Sequence, residues 1–353
     1  TIETYRNGIS QGEMYSNNSD IKHNTFYAEV GDPTSTANID GTVNFGQKPF
    51  RFPPPDGFQP LTTANARPVK VISRPDQYVG IVTYSGAGGT QSVTGYNFNA
   101  KPDFVWIKNR SDSGGASHIL FDTVRGVGKS INSNETSPER TNHNYGYLTS
   151  FDFNGYTVTG GSSGDAETND ASNTYIAWAW KAGGDKGTFN IDDVGYASAA
   201  AAGLDDGSIN PIGASVGTKQ GFSIIKFASG SSGVKTLSHG LLETPTFALV
   251  KTTGSTSDWS VYHKDIGGVN NYLVLNADTA NATATEIWGS SLWTSSVFGI
   301  NSGTTTATNQ DCIAYLWHDV PGLQKFGTYD GNNNSNGPFV ELGFNPAIIW
   351  TKG

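Results

Sequence analysis

One strand pattern, a proline followed by apolar residues and a lysine, occurs three times in this sequence and limits what the chain can fold into. Lys108 and Lys251 close the first two occurrences 143 residues apart, and Lys352 closes the third 101 residues later. A pattern that returns at regular intervals is typical of chains built from similar folding units. The three occurrences are KPDFVWIKN (101–109), TPTFALVKT (244–252) and NPAIIWTKG (345–353).

Two further landmarks keep the same order along the chain. Tyr84 and Phe227 lie 143 residues apart in strands that end at a glycine turn, and Tyr329 follows after 102 residues. Because independent landmarks agree on both intervals, we infer a unit of about 100 residues with an extra spacer after the first copy. The landmark strands are YVGIVTYSG (78–86), FSIIKFASG (222–230) and LQKFGTYDG (323–331), together with YIAWAWK (175–181) and CIAYLWH (312–318).

The intervals divide the chain into five predicted segments. The spacer is rich in Gly, Ala, Ser and Asp, which favours a linker with local turns. The sequence starts without methionine and stops soon after the third motif, so we expect it to be part of a longer polypeptide. The segments are an N-terminal segment (1–75), repeat 1 (76–183), the linker (184–218), repeat 2 (219–321) and the start of a truncated repeat 3 (322–353).

Short strands between polar loops predict an all-β fold. In YIAWAW, Trp178 and Trp180 share one face with Ile176, and the other face carries Ala177 and Ala179. Small residues on one face allow a second sheet to approach closely. The sequence indicates no amphipathic helix longer than two turns. Units of about 100 residues with short strands throughout favour two-sheet sandwiches arranged in tandem.

The composition of the chain argues against several classes of function. The formal net charge is −9 and the pI is near 5.1, which argues against nucleic acid as a partner because phosphate binding needs a surplus of Lys and Arg. The single cysteine, Cys312, excludes an intrachain disulfide framework and four-cysteine zinc sites. The sequence contains no run of 18 apolar residues, so no transmembrane helix is predicted.

Several motifs occur in a fixed order along the repeats: KPDFVWIKNRS (101–111), FDTVRGVG (121–128), GYLTSFDFNGYTV (146–158), NTYIAWAWKAG (173–183), YLWHDVPGLQKFGTY (315–329) and GPFVELGFNPAIIWTKG (337–353). In these motifs and their order, residues 76–353 resemble a family of uncharacterised domains from virion proteins of marine and cyanobacterial phages. The N-terminal run DGTVNFGQKPFRFPPPDGF (40–58) resembles the end of a SPRY/concanavalin-like domain of phage structural proteins.

The resemblance implies a lectin-like or jelly-roll-like sandwich fold and a place in a virion, on the tail or as a capsid appendage, without implying a reaction. We therefore expect a phage structural protein rather than an enzyme. A tail fibre or similar appendage that contacts a host-surface glycan is the first hypothesis. A capsid decoration or tail connector and a polysaccharide depolymerase are the alternatives. The expected partners are other virion proteins and further copies of the chain, with a trimer suggested by analogy.

Three tryptophans near loops, Trp259, Trp288 and Trp293, are the candidate ligand-binding residues, because an exposed indole can stack on a sugar ring. No cofactor is expected, and the six histidines lack metal-ligand spacing. Calcium is the alternative, because oxygen-rich loops occur at 164–173, 203–210 and 329–337, although Asx turns explain these residues without an ion. RGVGKS (125–130) lacks the first glycine and the strand–loop–helix context of a phosphate loop, so a glycine-rich hairpin is predicted there.

Overall fold

The computed structural model describes residues 2–6, 9–15, 71–112, 114–291 and 293–352. The chain divides into two compact units, residues 1–69 and 70–353. In the first unit, strands β1 (Ile2–Arg6) and β2 (Ile9–Tyr15) pair antiparallel. The motif at 40–58 that suggested a SPRY-like domain lies outside the described residues.

The fold is all-β, as predicted from the sequence. The described residues contain strands and three short 3-10 helices, at Pro75–Gln77, Ala200–Ala202 and Gly268–Asn270. None of the helices found in these ranges is long and apolar enough to span a membrane.

Repeat 1 forms a large and a small sheet. The large sheet has the strand order β3-β11-β5-β6-β7-β8, and the small sheet has the order β4-β10-β9. The strands are β3 (Val79–Ser85), β4 (Gln91–Thr94), β5 (Phe104–Asn109), β6 (Ile119–Asp122), β7 (Lys129–Asn132), β8 (Arg140–Thr141), β9 (Tyr147–Asp152), β10 (Gly155–Thr159) and β11 (Thr174–Trp180).

Repeat 2 has the same plan with additional strands at one edge. Its large sheet has the order β13-β12-β14-β15-β22-β17-β18-β19-β20, and β16 pairs with β21 in the small sheet. The strands are β12 (Phe189–Ile191), β13 (Val194–Tyr196), β14 (Gly213–Gly217), β15 (Phe222–Ala228), β16 (Gly233–Ser238), β17 (Phe247–Thr252), β18 (Ser260–His263), β19 (Asn271–Val274), β20 (Ala282–Thr283), β21 (Val297–Ser302) and β22 (Asp311–Trp317).

The repeated motifs occupy equivalent positions in the two copies. The YIAWAW strand β11 lies between β3 and β5 and pairs antiparallel with both. The CIAYLW strand β22 lies between β15 and β17 in the same way. Lys108 on β5 and Lys251 on β17 therefore have the same topological position, which confirms that the sequence repeat is a structural repeat.

Three apolar cores show how the four sheets are layered. One core lies between the small and large sheets of repeat 1, and another between those of repeat 2. The third joins side chains of the two large sheets, including Phe104 and Trp180 from repeat 1 with Phe222 and Tyr315 from repeat 2. The layers follow the order small, large, large, small. The two repeats share a core instead of standing as separate sandwiches connected in series.

The alternation in β11 explains this layering. Ala177 and Ala179 point into the core of repeat 1, and Trp180 points into the shared core with Trp178 packed at its side. The predicted division of this strand into a small face and a tryptophan face is confirmed. Because both faces are apolar, the strand is covered on both sides.

The segment 184–218, predicted to be a linker, contributes structure to the sheet. It supplies β12, β13 and β14, of which β14 pairs along β15. Phe189 and Leu204 from this segment are buried in the core of repeat 2. Its small residues suit a strand covered on both faces, which composition alone does not distinguish from a flexible connector. In contrast, the described part of 322–353 forms no strand.

Candidate functional site

A groove with a volume of about 540 Å³ lies where the two repeats and the C-terminal segment meet. This volume is within the range of pockets that hold small molecules. The groove is lined from repeat 1 by Trp106, His118, Ser133 and Asn134, from repeat 2 by Leu275, Asn276, Ala277 and Asp278, and from the C-terminal segment by Thr351 and Lys352.

Trp106 lines this groove and carries a buried hydrogen-bond donor that has no partner. Its side chain projects from β5 toward the shared core, and the residue is 8% exposed. Its ring lies 6.2 Å from that of Trp178 and 5.0 Å from that of Trp350, both edge to face. The indole Nε1 is buried and has no hydrogen-bond partner in the protein. Buried indole N–H groups usually have a partner, so the Trp106 donor lacks the hydrogen bond that such a group normally makes.

Two asparagines in loops of different repeats are held in place beside the groove. The Asn134 side-chain oxygen accepts the backbone N–H of His118 at 2.9 Å. In repeat 2, the Asn276 oxygen accepts the backbone N–H of Trp259 at 2.8 Å, and its amide nitrogen donates to Asp258 at 2.7 Å. These contacts fix the loops that form the two sides of the groove.

The groove carries little net charge. Burial, with a smaller contribution from the Lys108 ammonium, lowers the pKa of His118, so its imidazole is neutral near pH 7. One carboxylate, Asp278, and one ammonium, Lys352, line the groove, and the ammonium donates to the Ala277 carbonyl at 2.8 Å. Trp350 beside Trp106 is 44% exposed and adds accessible aromatic surface. Amides, hydroxyls and aromatic rings without a dominant charge suit an uncharged polyhydroxyl ligand.

The three tryptophans predicted to bind ligand are core residues, which corrects that expectation. Trp259 and Trp288 are fully buried, and Trp293 is 6% exposed. Their indole N–H groups donate to the backbone carbonyls of Asn132, Asn271 and Trp288, respectively. No ring face remains for an external sugar. The tryptophan that does line the groove is Trp106, which is also part of the shared core.

Polar contacts cross the shared core from one repeat to the other. The Tyr315 hydroxyl of repeat 2 donates to Asp122 of repeat 1 at 2.7 Å, and Asp122 also pairs with the fully buried Arg125 at 2.5 Å. The Lys251 ammonium donates to the Thr136 carbonyl at 2.9 Å. These contacts, together with the Trp259 bond to Asn132, fix the position of one repeat against the other.

The phosphate-loop-like run and the oxygen-rich loops have structural roles. Residues 125–130 cover the end of the turn between β6 and β7 and the first two residues of β7. Gly126 and Gly128 in the turn have φ angles of 91° and 74°, which confirms the predicted glycine-rich hairpin. In the loop at 164–173, Asp170 accepts the backbone N–H of Ser172 at 2.8 Å in an Asx turn. Over the described ranges, no group of three or more His, Cys, Asp or Glu residues is placed to hold a metal ion.

Comparison with known proteins identifies one family. The model of a family described as a domain of unknown function, DUF7483, matches residues 74–353. These residues make up more than half of the chain and include both complete repeats. Neither a curated protein nor a solved structure matches the sequence.

Proposed function

The chain belongs to the DUF7483 family, and we propose that it is a structural protein of a phage virion, part of a tail fibre or similar appendage, that binds a host-surface glycan in the groove between its repeats. The virion setting rests on the resemblance of the ordered motifs in this chain to those of phage virion proteins. The repeated all-β architecture is consistent with it, because stacked β units supply length and surface.

The observation that carries the glycan proposal is the unpaired indole N–H of Trp106 in a groove lined by amide and hydroxyl groups. A sugar hydroxyl that reaches the buried nitrogen of Trp106 can accept this hydrogen bond, and the exposed part of Trp350 can contact the sugar ring. Each individual site would be weak. Further copies of the chain in a symmetric appendage, such as a trimer, would raise the overall affinity through multivalency.

The shared core supports a role that requires rigidity. The large sheets of both repeats bury aromatic residues against each other, and buried hydrogen bonds cross this interface. The groove is formed by loops from both repeats, so its shape depends on their fixed arrangement. A host-recognition surface built in this way keeps its polar groups in place before the ligand arrives, which lowers the entropic cost of binding.

A Trp106→Phe variant tests the glycan proposal. Phenylalanine keeps an aromatic ring in the core and removes the unpaired donor together with part of the indole ring, a loss of packing that a Trp→Phe change at a neighbouring core position shares. We expect affinity for the glycan found on an array of host polysaccharides to fall about tenfold, the equivalent of about 1.4 kcal/mol for one hydrogen bond. Trp178→Phe is the matched control, because Trp178 contacts Trp106 without lining the groove. Equal binding by both variants, or binding to no glycan and no host cell, contradicts the proposal.

The other two hypotheses make different predictions in the same experiments. A capsid decoration or tail connector would bind no glycan, and electron microscopy of the particle would place it in contact with capsid or tail proteins. A depolymerase would shorten host polysaccharide. Retaining and inverting glycosidases use two carboxyl groups about 5–10 Å apart. Of the residues that line the groove, Asp278 is the one with a carboxyl side chain, so the geometry favours binding over cleavage.

A further inference from the structure

Two asparagine–glycine pairs lie among the described residues, and they differ in how firmly the structure holds them. Asn154–Gly155 joins β9 to β10, and Asn336–Gly337 lies in the loop between the motifs at 323–331 and 345–353. A third pair, at positions 7 and 8, lies outside the described residues. Glycine after asparagine leaves the asparagine side chain open to attack by the next backbone nitrogen, because glycine has no Cβ and turns freely.

Asn154 is restrained by hydrogen bonds on its side chain and on its backbone. Its side-chain oxygen accepts the backbone N–H of Asn99 at 2.8 Å, and its own N–H donates to the Ala100 carbonyl at 2.9 Å. Gly155 is buried at the start of β10, where a Cβ would clash with the backbone oxygen of Val93. The Gly155 nitrogen can therefore reach the Asn154 side chain only if the start of β10 opens.

Asn336 and Gly337 lack these restraints. Both are exposed, as is every residue from 331 to 340. The Asn336 backbone N–H donates to the Asn334 side chain at 3.0 Å, and the Asn336 carbonyl accepts the Asn332 amide at 2.8 Å. Among the described residues, neither the Asn336 side chain nor the Gly337 N–H makes a hydrogen bond. A Cβ on Gly337 would meet no atom within 4 Å, so nothing packs against this residue.

We propose that Asn336 is a site of spontaneous deamidation. The Gly337 backbone nitrogen, after losing its proton, forms a bond to the side-chain carbonyl carbon of Asn336, and the side-chain nitrogen leaves as ammonia. Water then opens the resulting cyclic imide at one of its two carbonyl carbons. Opening on one side gives aspartate, and opening on the other gives isoaspartate, in which the main chain runs through the former side-chain carbonyl. The reaction consumes one water and needs no cofactor or oxidant.

The modification changes both the charge and the backbone of the loop. Either product adds one negative charge to a chain whose formal net charge is already −9. Isoaspartate also adds one carbon between the N–H and the carbonyl of residue 336. The hydrogen bonds of that N–H to Asn334 and of that carbonyl to Asn332 then cannot both keep their geometry.

Peptide mapping by mass spectrometry tests the proposal on the full 353-residue chain, incubated at mildly alkaline pH and digested briefly at acidic pH. The peptide that contains Asn336 should gain about 1 Da, the difference between an amide and a carboxylic acid, and separate by chromatography into two products. In the folded chain Asn336 should react at least about tenfold faster than Asn154, because Asn154 first needs local opening at a cost of at least about 1.4 kcal/mol. Unfolding in guanidinium should largely remove this difference.

Two glycine variants test which nitrogen attacks. Gly337→Ala adds a Cβ that hinders ring closure, so deamidation at Asn336 should slow severalfold. Gly331→Ala is the matched control in the same loop and should react like the parent chain. At both positions the new Cβ meets no atom within 4 Å and φ is outside the left-handed region, so alanine fits without strain.

The proposal fails in any of three cases. The first is no mass gain at Asn336 in the folded chain over a period in which the unfolded chain reacts. The second is an equal rate at Asn336 and Asn154 in the folded chain, which would show that the structure does not select the site. The third is an unchanged rate in Gly337→Ala or aspartate as the sole product, which would show direct hydrolysis of the amide by water.

Discussion

Lys251 offers the clearest test of the interface between the repeats. Its side chain is fully buried, and its ammonium donates to the carbonyl of Thr136 in repeat 1 and to the carbonyl and hydroxyl of Ser257. Burial lowers the pKa of Lys251 from its usual 10.5 to about 8, against the opposing effect of the Asp258 carboxylate. The folded chain therefore releases this proton at a lower pH than the unfolded chain.

The sign of the pH effect follows from this difference. Below about pH 8 both states carry the proton, and the folded state bears the full cost of a buried charge. Between pH 8 and 10.5 the unfolded chain binds more protons, so the free energy of unfolding rises with pH. The difference between the Lys251 pKa of 10.5 in the unfolded chain and about 8 in the folded chain corresponds to about 3 kcal/mol of unfolding free energy over that window.

Urea denaturation of the parent chain and a Lys251→Met variant from pH 7 to 10.5 measures this contribution. At pH 7 the variant removes the buried charge but leaves two carbonyls without their donor, at about 1–3 kcal/mol each, so its stability should be close to that of the parent. At pH 10.5 the parent should have gained about 3 kcal/mol relative to the variant. Val250→Ala is the control, because it destabilises the same strand without removing a titratable group, and its profile should run parallel to the parent's. A parallel profile for Lys251→Met would refute the reasoning.

Three further changes test the contacts described above by the same denaturation assay. Tyr315→Phe should cost about 1–3 kcal/mol, because Asp122 loses a buried donor from the other repeat; an unchanged midpoint would contradict this. Trp259→Phe should cost about 1–3 kcal/mol, because the backbone carbonyl of Asn132 loses its buried donor from the other repeat, and an unchanged denaturation midpoint would contradict this. Burial raises the pKa of Asp103 to about 6, so the stability of the parent relative to Asp103→Asn should fall as pH rises from 4 to 6. A constant difference would exclude this titration.

The sequence repeat predicted the fold class and the equivalence of the strands because both depend on local pattern and on spacing. The two faces of β11 followed from strict alternation of Trp and Ala. The shared core was also detectable in principle. β22 reads Cys-Ile-Ala-Tyr-Leu-Trp, which is apolar on both faces, and such a strand is covered on both sides. The predicted tandem of two-sheet sandwiches is present, and the core between the two large sheets is the feature that this prediction did not include.

Other features could not be predicted from local pattern. β14 is written Gly-Ala-Ser-Val-Gly, a composition typical of loops, and it becomes a strand because β15 offers an unpaired edge beside it. The groove depends on loops that are more than 100 residues apart in sequence and meet only through the packing of the large sheets. A tryptophan can bind an external ligand only where its ring is exposed. The sequence spacing of Trp259, Trp288 and Trp293 does not show whether their rings are exposed or buried in the core.

The shared core also determines the smallest part of this chain that can fold. In a single repeat, the outer face of the large sheet would expose Phe104, Trp106 and Trp180 to water, or Phe222 and Trp317 in the other copy. An exposed patch of that size is a site of association or aggregation. Two repeats remove this problem by covering each other. The third set of motifs, in the C-terminal segment, again contains apolar residues that need to be covered. Some of them, such as Ile348, pack against the shared core, whereas others, such as Ile349, are exposed.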